Sequence, residues 1–151
     1  MSEKPTELEI QRRESLEELY RLGINPYPAE LFPVDVTARE IHRNYESDKL
    51  SYKNIHIAGR IMTRRIMGNA SFAVIQDATD RIQIYIRRDD ICPGEDKTLY
   101  NTVFKKLLDI GDIIGISGYV FTTQTRELTI HATSLKVLAK SIRPLPIARR
   151  P

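Results

Sequence analysis

The feature that most constrains the fold of this chain is an alternation of apolar and polar side chains that recurs through its second part. A period of two is typical of a β-strand that buries one face and exposes the other. Five segments follow this period, and residues that favour turns separate most of them. The alternation predicts strands over 54–67, 72–77, 81–87, 112–121 and 128–138, with inward-facing Ile55, Ile57, Ile61, Ala73, Ile75, Ile82, Ile84 and Ile86.

Between the third and fourth predicted strands, apolar residues follow helical spacing over 98–108, and Gly111 is expected to end that helix. Gly59 lies within the long first strand, where it predicts a bulge or a bend. The resulting order, β-β-β-α-β-β, is that of the OB-fold, a five-stranded Greek-key barrel in which the helix closes one end. We therefore expect an all-β core with helices.

The first 50 residues differ, because their apolar residues follow helical spacing. Two capping boxes, which begin at Thr6 and Thr37, predict helices that reach about Leu22 and about Asn44. The proline-rich stretch 26–33 between these helices favours an extended connector. The predicted organisation is an N-terminal helical extension with its connector over 1–50 and the barrel domain over 51–140.

The charge of the chain is unevenly distributed. Residues 1–50 contain 7 Lys/Arg and 11 Asp/Glu, whereas residues 51–151 contain 16 and 9. A basic second part indicates an anionic partner. The single cysteine, Cys92, excludes an intramolecular disulfide and favours a reducing, cytoplasmic setting. No apolar run approaches the roughly 20 residues of a membrane helix, and the N-terminus lacks a signal-peptide pattern, so no membrane association is expected.

The outward-facing residues of the predicted strands gather side-chain types that bind an unpaired base. Phe72 offers a ring for stacking, and Gln83 carries both a donor and an acceptor for a base edge. Arg64 can bond a base carbonyl or a phosphate, and Glu127 can accept from a base N–H. Candidate phosphate or rim contacts around them are Arg60, Arg81, Tyr85 and His131.

Each of these residues also has an ordinary structural interpretation. A single phenylalanine such as Phe72 is typical of a core or rim position, and Gln83 is typical of a solvated strand residue. Arg64 and Arg65 are typical of charges that protect a strand edge from aggregation. Their occurrence together on one face of the predicted barrel favours nucleic-acid binding.

No pattern of catalysis or metal binding is present. His42, His56 and His131 lack the spacing of metal ligands, and Cys92 has no partner thiol. The chain contains no Walker loop and no nucleophile elbow. We therefore expect no metal, no cofactor and no active site in this chain.

Several runs of the sequence closely resemble the anticodon-binding domain of class II lysyl-tRNA synthetases. The resemblance covers nearly the whole chain, from the N-terminal helix and connector to the family's exit into a catalytic domain. The runs that carry it are RLGINPYP (21–28), GRIMTRRIMGNASF (59–72), IQD (75–77), RIQIY (81–85), FKKLLDIGDIIG (104–115), ELTIH (127–131) and RPLP (143–146).

The resemblance implies that the ligand is the anticodon stem-loop of tRNA(Lys), with its central uridine held by the barrel. It assigns stacking to Phe72 and the base edge to Gln83, and it places Glu127 nearby. Arg64 and Arg65 compete for the base carbonyl, and the alternation favours Arg64. The related aspartyl- and asparaginyl-tRNA synthetases share the Phe and Gln spacing and are an alternative assignment.

The same resemblance implies a larger enzyme. In class II lysyl-tRNA synthetases a catalytic domain activates lysine with ATP and Mg²⁺, transfers it to tRNA and forms a homodimer. Segment 141–151 is then the start of a linker to that domain, and these 151 residues alone are expected to bind tRNA and to be inactive. Alternatives are a free-standing OB protein for single-stranded nucleic acid, or an OB scaffold that buries Phe72 in a protein contact.

Overall fold

The computed structural model describes residues 6–142, and five strands in this range form one closed barrel in the order β1-β2-β3-β5-β4. The predicted OB-type plan is confirmed, including the helix between the third and fourth strands. Within the described range, no helix combines the length and the apolarity that crossing a bilayer requires. The elements are α1 (Glu7–Arg21), α2 (Ala38–Asn44), β1 (Ile55–Met67), β2 (Ala70–Gln76), β3 (Arg81–Arg87), α3 (Arg88–Ile91), α4 (Leu99–Leu107), β4 (Ile113–Thr122) and β5 (Leu128–Ala139), with 3₁₀ turns at Ala29–Leu31, Tyr45–Ser47 and Lys49–Tyr52.

The barrel closes through one parallel pair of strands. Four of the five strand pairs are antiparallel, and β3 pairs with β5 in parallel, with Gln83 opposite Thr129 and Tyr85 opposite His131. The predicted inward faces are correct. The buried barrel residues named from the alternation are Ile55, Ile57, Ile61, Ala73, Ile75, Ile82, Ile84 and Ile86.

Helix α4 closes one end of the barrel. Its Tyr100 and Phe104 side chains are fully buried, and the Tyr100 hydroxyl bonds Ser71 Oγ at 2.7 Å. The helix is wound with i→i+5 hydrogen bonds and ends at Leu107, one residue before the end of the predicted segment 98–108, so Gly111 lies beyond it and does not terminate it. Gly111 instead adopts a left-handed conformation, with φ of 101°, in the tight turn that leads into β4.

The bulge of the first strand lies further along the chain than Gly59, where the sequence predicted it. The register between β1 and β2 shifts between Ile61 and Thr63. Gly59 instead allows β1 to approach Ile75 closely, because a Cβ at this position would lie 3.0 Å from the Cβ of Ile75. The extra residue in β1 exchanges the two faces of the strand beyond Ile61.

The N-terminal extension packs on the barrel and shares its hydrophobic core. Leu19 of α1 and Ile41 of α2 are fully buried in the same cluster as the barrel isoleucines. Along the connector, the backbone N–H of Tyr27 donates to the Val137 carbonyl at 2.7 Å. The connector is not wholly extended, because residues 29–31 form a 3₁₀ turn. The N-terminal extension and the barrel therefore share one hydrophobic core.

Asp77, which follows β2, joins the extension to the barrel through its carboxylate. Its Oδ2 accepts from the Ala38 N–H of α2 at 2.8 Å, and its Oδ1 accepts from the Thr79 N–H and hydroxyl and from the Asp80 N–H. Burial raises the pKa of Asp77, but these hydrogen bonds outweigh it, so the pKa lies below its ordinary value of 3.8.

We expect Asp77→Ala to lower the free energy of unfolding by about 2 kcal/mol at pH 7, since charge-assisted bonds to four donors are lost. A carboxylate whose pKa is lowered on folding stabilises the protein above its unfolded-state pKa, and this contribution is lost as pH falls through the folded-state pKa. Urea unfolding of both proteins should therefore show a difference that shrinks below about pH 4. Asp77→Asn, which keeps one carbonyl oxygen, should be intermediate, and a difference independent of pH would contradict this role.

Candidate nucleic-acid interface

Two adjoining clefts lie on the outer face of the barrel, over β1, β2 and β3 and beside the loop that joins β4 to β5. The larger has a volume of about 540 Å³ and the smaller about 260 Å³. Phe72, Gln83 and Arg65 line both. The other lining residues are Met67, Ala70, Tyr85, Phe121, Thr123, Gln124 and Thr125 in the larger cleft, and Thr63, Arg64, Ala73 and Val74 in the smaller one.

The register of β2 and β3 brings the two predicted base-binding residues to one surface. Phe72 lies opposite Tyr85, with ring centroids 5.0 Å apart, and Val74 lies opposite Gln83. Directly opposed residues of antiparallel strands project on the same side of the sheet. Phe72 and Gln83 are both half-buried, so each presents part of its side chain to the clefts.

Arg65 is the arginine that shares this surface. It lies opposite Phe72 in the β1–β2 register, it is exposed, and its guanidinium carbon is 5.9 Å from the centroid of the Phe72 ring. This geometry is that of a cation–π contact. An aromatic ring and a cation are therefore adjacent at the mouth of the clefts.

Arg64 does not face outward as the alternation predicted, and this interpretation of its orientation is wrong. It lies opposite the buried Ala73, and its Nη1 donates to the carbonyls of Phe104 at 2.8 Å and Leu108 at 2.5 Å. The cause is the bulge, which shifts the alternation by one residue between Ile61 and Arg64.

The Arg64 guanidinium therefore caps the C-terminal end of α4, where backbone carbonyls lack helical partners. Burial lowers the pKa of Arg64, while the carboxylates of Asp109 and Asp112 act in the opposite direction. A guanidinium remains charged in proteins, so this contact is a charge-assisted one. Part of Arg64 still lines the smaller cleft.

Gln83 belongs to a chain of hydrogen bonds that runs into the β4–β5 loop. Its Nε2 donates to Thr129 Oγ1 at 2.9 Å, and Thr129 Oγ1 donates to the Glu127 carbonyl at 3.1 Å. Glu127 is exposed at the end of the β4–β5 loop, immediately before β5.

The β4–β5 loop has a defined conformation beside the larger cleft. The Thr123 N–H donates to the Glu127 carbonyl at 3.0 Å, and the Glu127 N–H donates to Thr123 Oγ1 at 3.1 Å. Arg126 adopts a left-handed conformation, with φ of 67°, to close the turn. These bonds hold Gln124 and Thr125 against the cleft.

An aromatic cluster extends the surface, and two of its members, Tyr119 and Phe121, were missed from the sequence. The Tyr85 ring contacts Phe121 of β4 with centroids 6.5 Å apart and His131 of β5 at 5.3 Å, and His131 stacks on Tyr119 at 4.8 Å. Tyr119 and Phe121 lie two residues apart near the end of β4. This spacing puts both side chains on one face of a strand and could have identified them from the sequence. Their neighbours are known only once the parallel β3–β5 pair is known.

The four predicted rim residues fall in different places. Tyr85 lines the larger cleft, and His131 lies against it while its Nε2 bonds Asp90 Oδ2 at 2.6 Å. Arg81 lies on the same face of β3 but at the far end, where its Nε donates to Gln76 Oε1. Arg60 lies outside both clefts and donates to the Gly111 carbonyl at 2.9 Å.

Metal binding has no support in the described part of the chain. Among residues 6–142, no group of three or more His, Cys, Asp or Glu side chains is arranged to hold a metal ion. The available chemistry of the clefts is stacking, hydrogen bonding through an amide, and attraction of anions by arginine.

Comparison with known proteins gives consistent matches. A family model described as an OB-fold nucleic acid binding domain, tRNA anti-codon, matches residues 55–138. Similar curated proteins named lysine–tRNA ligase are 55% identical over 145 residues in Porphyromonas gingivalis, 55% over 144 residues in Azobacteroides pseudotrichonymphae and 48% over 141 residues in Tolumonas auensis. These matches cover 95%, 95% and 90% of this chain but 25%, 29% and 26% of the relatives. The chain thus spans about a quarter of the length of the curated relatives it matches.

The same substitution should affect the stability of the protein strongly at Arg64 and weakly at the adjacent Arg65. We expect Arg64→Met to lower the free energy of unfolding by about 1.5–3 kcal/mol, because two buried carbonyls lose a charged donor. Arg65→Met should change it by less than about 0.5 kcal/mol, since Arg65 is exposed. Urea unfolding followed by circular dichroism measures both, and equal effects would contradict the assignment of Arg64 to the helix.

Proposed function

The chain belongs to the tRNA anti-codon family of OB-fold nucleic acid binding domains, and we propose that it is the anticodon-binding domain of a lysine–tRNA ligase. Its ligand is then the anticodon stem-loop of tRNA(Lys), with the central uridine bound in the clefts. The observation that carries this proposal is the convergence of Arg65, Phe72 and Gln83, from three strands, on the same clefts.

The proposed contacts follow from the geometry of these three residues. The half-exposed Phe72 ring provides a stacking surface for a base, and stacking on an aromatic ring is worth about 1–3 kcal/mol per base. The Gln83 amide offers an acceptor and a remaining N–H to the base edge. Such base-edge contacts specify the sequence, whereas phosphate contacts position the RNA.

Arg65 is the arginine that we propose for the base carbonyl or an adjacent phosphate. It is exposed beside Phe72, whereas the guanidinium of Arg64 is engaged with the carbonyls at the end of α4. Arg64 then acts by holding the C-terminal end of α4 against β1. Glu127, which is exposed immediately before β5, is the residue that we propose to accept from a base N–H or to repel a misplaced phosphate.

We further propose that the protein of which this domain is part charges tRNA(Lys) with lysine, as the names of its relatives indicate. ATP and Mg²⁺ are the expected co-substrate and metal, and a cytoplasmic homodimer is the expected assembly. On this proposal these 151 residues bind RNA and do not catalyse.

The decisive experiment is titration of the 151-residue chain with two stem-loops that differ in one base. An anticodon loop with UUU should bind more tightly than one with UCU, since cytosine exchanges the donor and acceptor at the edge that Gln83 reads. Each well-formed base-edge contact discriminates by about 1–3 kcal/mol, or roughly 5- to 150-fold. Equal affinity for both loops would favour a protein that binds single-stranded nucleic acid without preference, and binding of neither at low salt would favour a protein-contact scaffold.

Removal of the stacking ring should weaken binding without unfolding the domain. We expect Phe72→Ala to reduce the affinity for the UUU stem-loop by about 1–3 kcal/mol. Tyr20→Ala is the matched control, because Tyr20 is an exposed aromatic residue of α1 that lies outside both clefts. If both variants bind like the unmodified chain, with circular dichroism spectra unchanged, Phe72 does not belong to the site.

A further inference from the structure

We propose that Thr129, a buried residue of β5, fixes the orientation of the Gln83 amide and thereby makes the site select uracil over cytosine. The proposal rests on the proposed function, since it concerns how Gln83 reads a base. Thr129 is 0% exposed, so it is a positioning residue that acts through Gln83 and does not touch RNA.

The orientation of the amide follows from the number of protons available. The Glu127 carbonyl can only accept a hydrogen bond, so the single proton of the Thr129 hydroxyl is committed to it at 3.1 Å. The hydroxyl oxygen can then only accept from Gln83. It therefore meets the NH₂ group of the amide, at 2.9 Å, and not the amide oxygen. The reversed amide would place two acceptors around one proton and lose a hydrogen bond.

Both ends of this chain of bonds are fixed to the backbone. Gln83 lies directly opposite Thr129 in the parallel β3–β5 pair, so the distance between the two residues is set by the barrel. The Glu127 carbonyl also accepts from the Thr123 N–H at 3.0 Å, which holds it within the β4–β5 loop. The Thr129 hydroxyl is thus held in a fixed position, and it restricts rotation of the Gln83 amide.

The orientation decides which pyrimidine fits. With one N–H bonded to Thr129, Gln83 retains its Oε1 and a second N–H for a base at the clefts that it lines. Uracil presents a ring N–H beside a carbonyl, whereas cytosine presents a ring acceptor beside an amine. A base stacked in the same place therefore needs opposite amide orientations for uracil and for cytosine. A freely rotating amide would accept both.

The test is the ratio of dissociation constants for the UCU and UUU stem-loops, measured with Thr129→Val in the 151-residue chain. Valine keeps the branched shape and removes the hydroxyl. We expect the ratio to fall by roughly threefold to tenfold, the equivalent of one net hydrogen bond. Thr129→Ser, which restores the hydroxyl, should retain the ratio of the unmodified chain.

Two controls separate positioning from a general effect on the barrel. Thr133→Val makes the same chemical change on the same strand, where the hydroxyl bonds the Ser117 carbonyl and has no contact with Gln83, and it should leave the ratio unchanged. In a Gln83→Ala background, Thr129→Val should have no further effect on the ratio, because the residue through which it acts is gone.

The outcomes distinguish the proposal from the function on which it rests. If the unmodified chain binds UUU and UCU equally, the proposed function fails. If it discriminates and Thr129→Val discriminates equally well, the positioning role of Thr129 is overturned while the function stands.

A second readout requires no RNA. In the free protein, NMR should show slowed solvent exchange of the Gln83 side-chain NH₂ in the unmodified chain and in Thr129→Ser, and faster exchange in Thr129→Val and Thr129→Ala. Two variants without the hydroxyl guard against misfolding of one of them. Equal exchange in all four proteins would overturn the proposal.

Discussion

One extra residue in β1, at the register shift between Ile61 and Thr63, determines how the rest of the interface is arranged. It sends Arg64 inward to the carbonyls at the end of α4 and leaves Arg65 outward beside Phe72. A regular strand would exchange these two roles, since each side chain would move to the other face. The bulge therefore supplies a cap for the helix that closes the barrel and a cation for the clefts.

The barrel and half of the interface could be predicted from sequence because β2 and β3 pair without a register shift. In such strands the alternation alone determines which face a residue occupies, so Phe72 and Gln83 were correctly placed on the outer surface. The orientation of Arg64 was predicted wrongly because of the bulge in β1. A bulge is defined by how many residues each of two paired strands contributes, so the alternation within one strand does not reveal it. The glycine that suggested a bulge, Gly59, is instead required by the close approach of Ile75.

The remaining features could not be predicted because they depend on contacts between distant parts of the chain. Phe121 of β4 contacts the Tyr85 ring of β3 only because β5 pairs with both strands in the closed barrel. Arg60 was predicted as a phosphate or rim contact, yet its partner is the Gly111 carbonyl at the turn before β4. Periodicity identifies the face of a strand, but it does not identify which residues of other strands share that face.

The parallel pairing of β3 and β5 has a consequence for the order in which the protein folds. Gln83 and Thr129 are 46 residues apart, and closing so long a loop costs chain entropy before any contact compensates for it. Contacts of high sequence separation form slowly for this reason. The β2–β3 hairpin, with Phe72, can form early, whereas the amide of Gln83 gains its fixed orientation only when the barrel closes. If the proposed function holds, a partly folded chain would thus possess a surface for stacking before it could discriminate between bases.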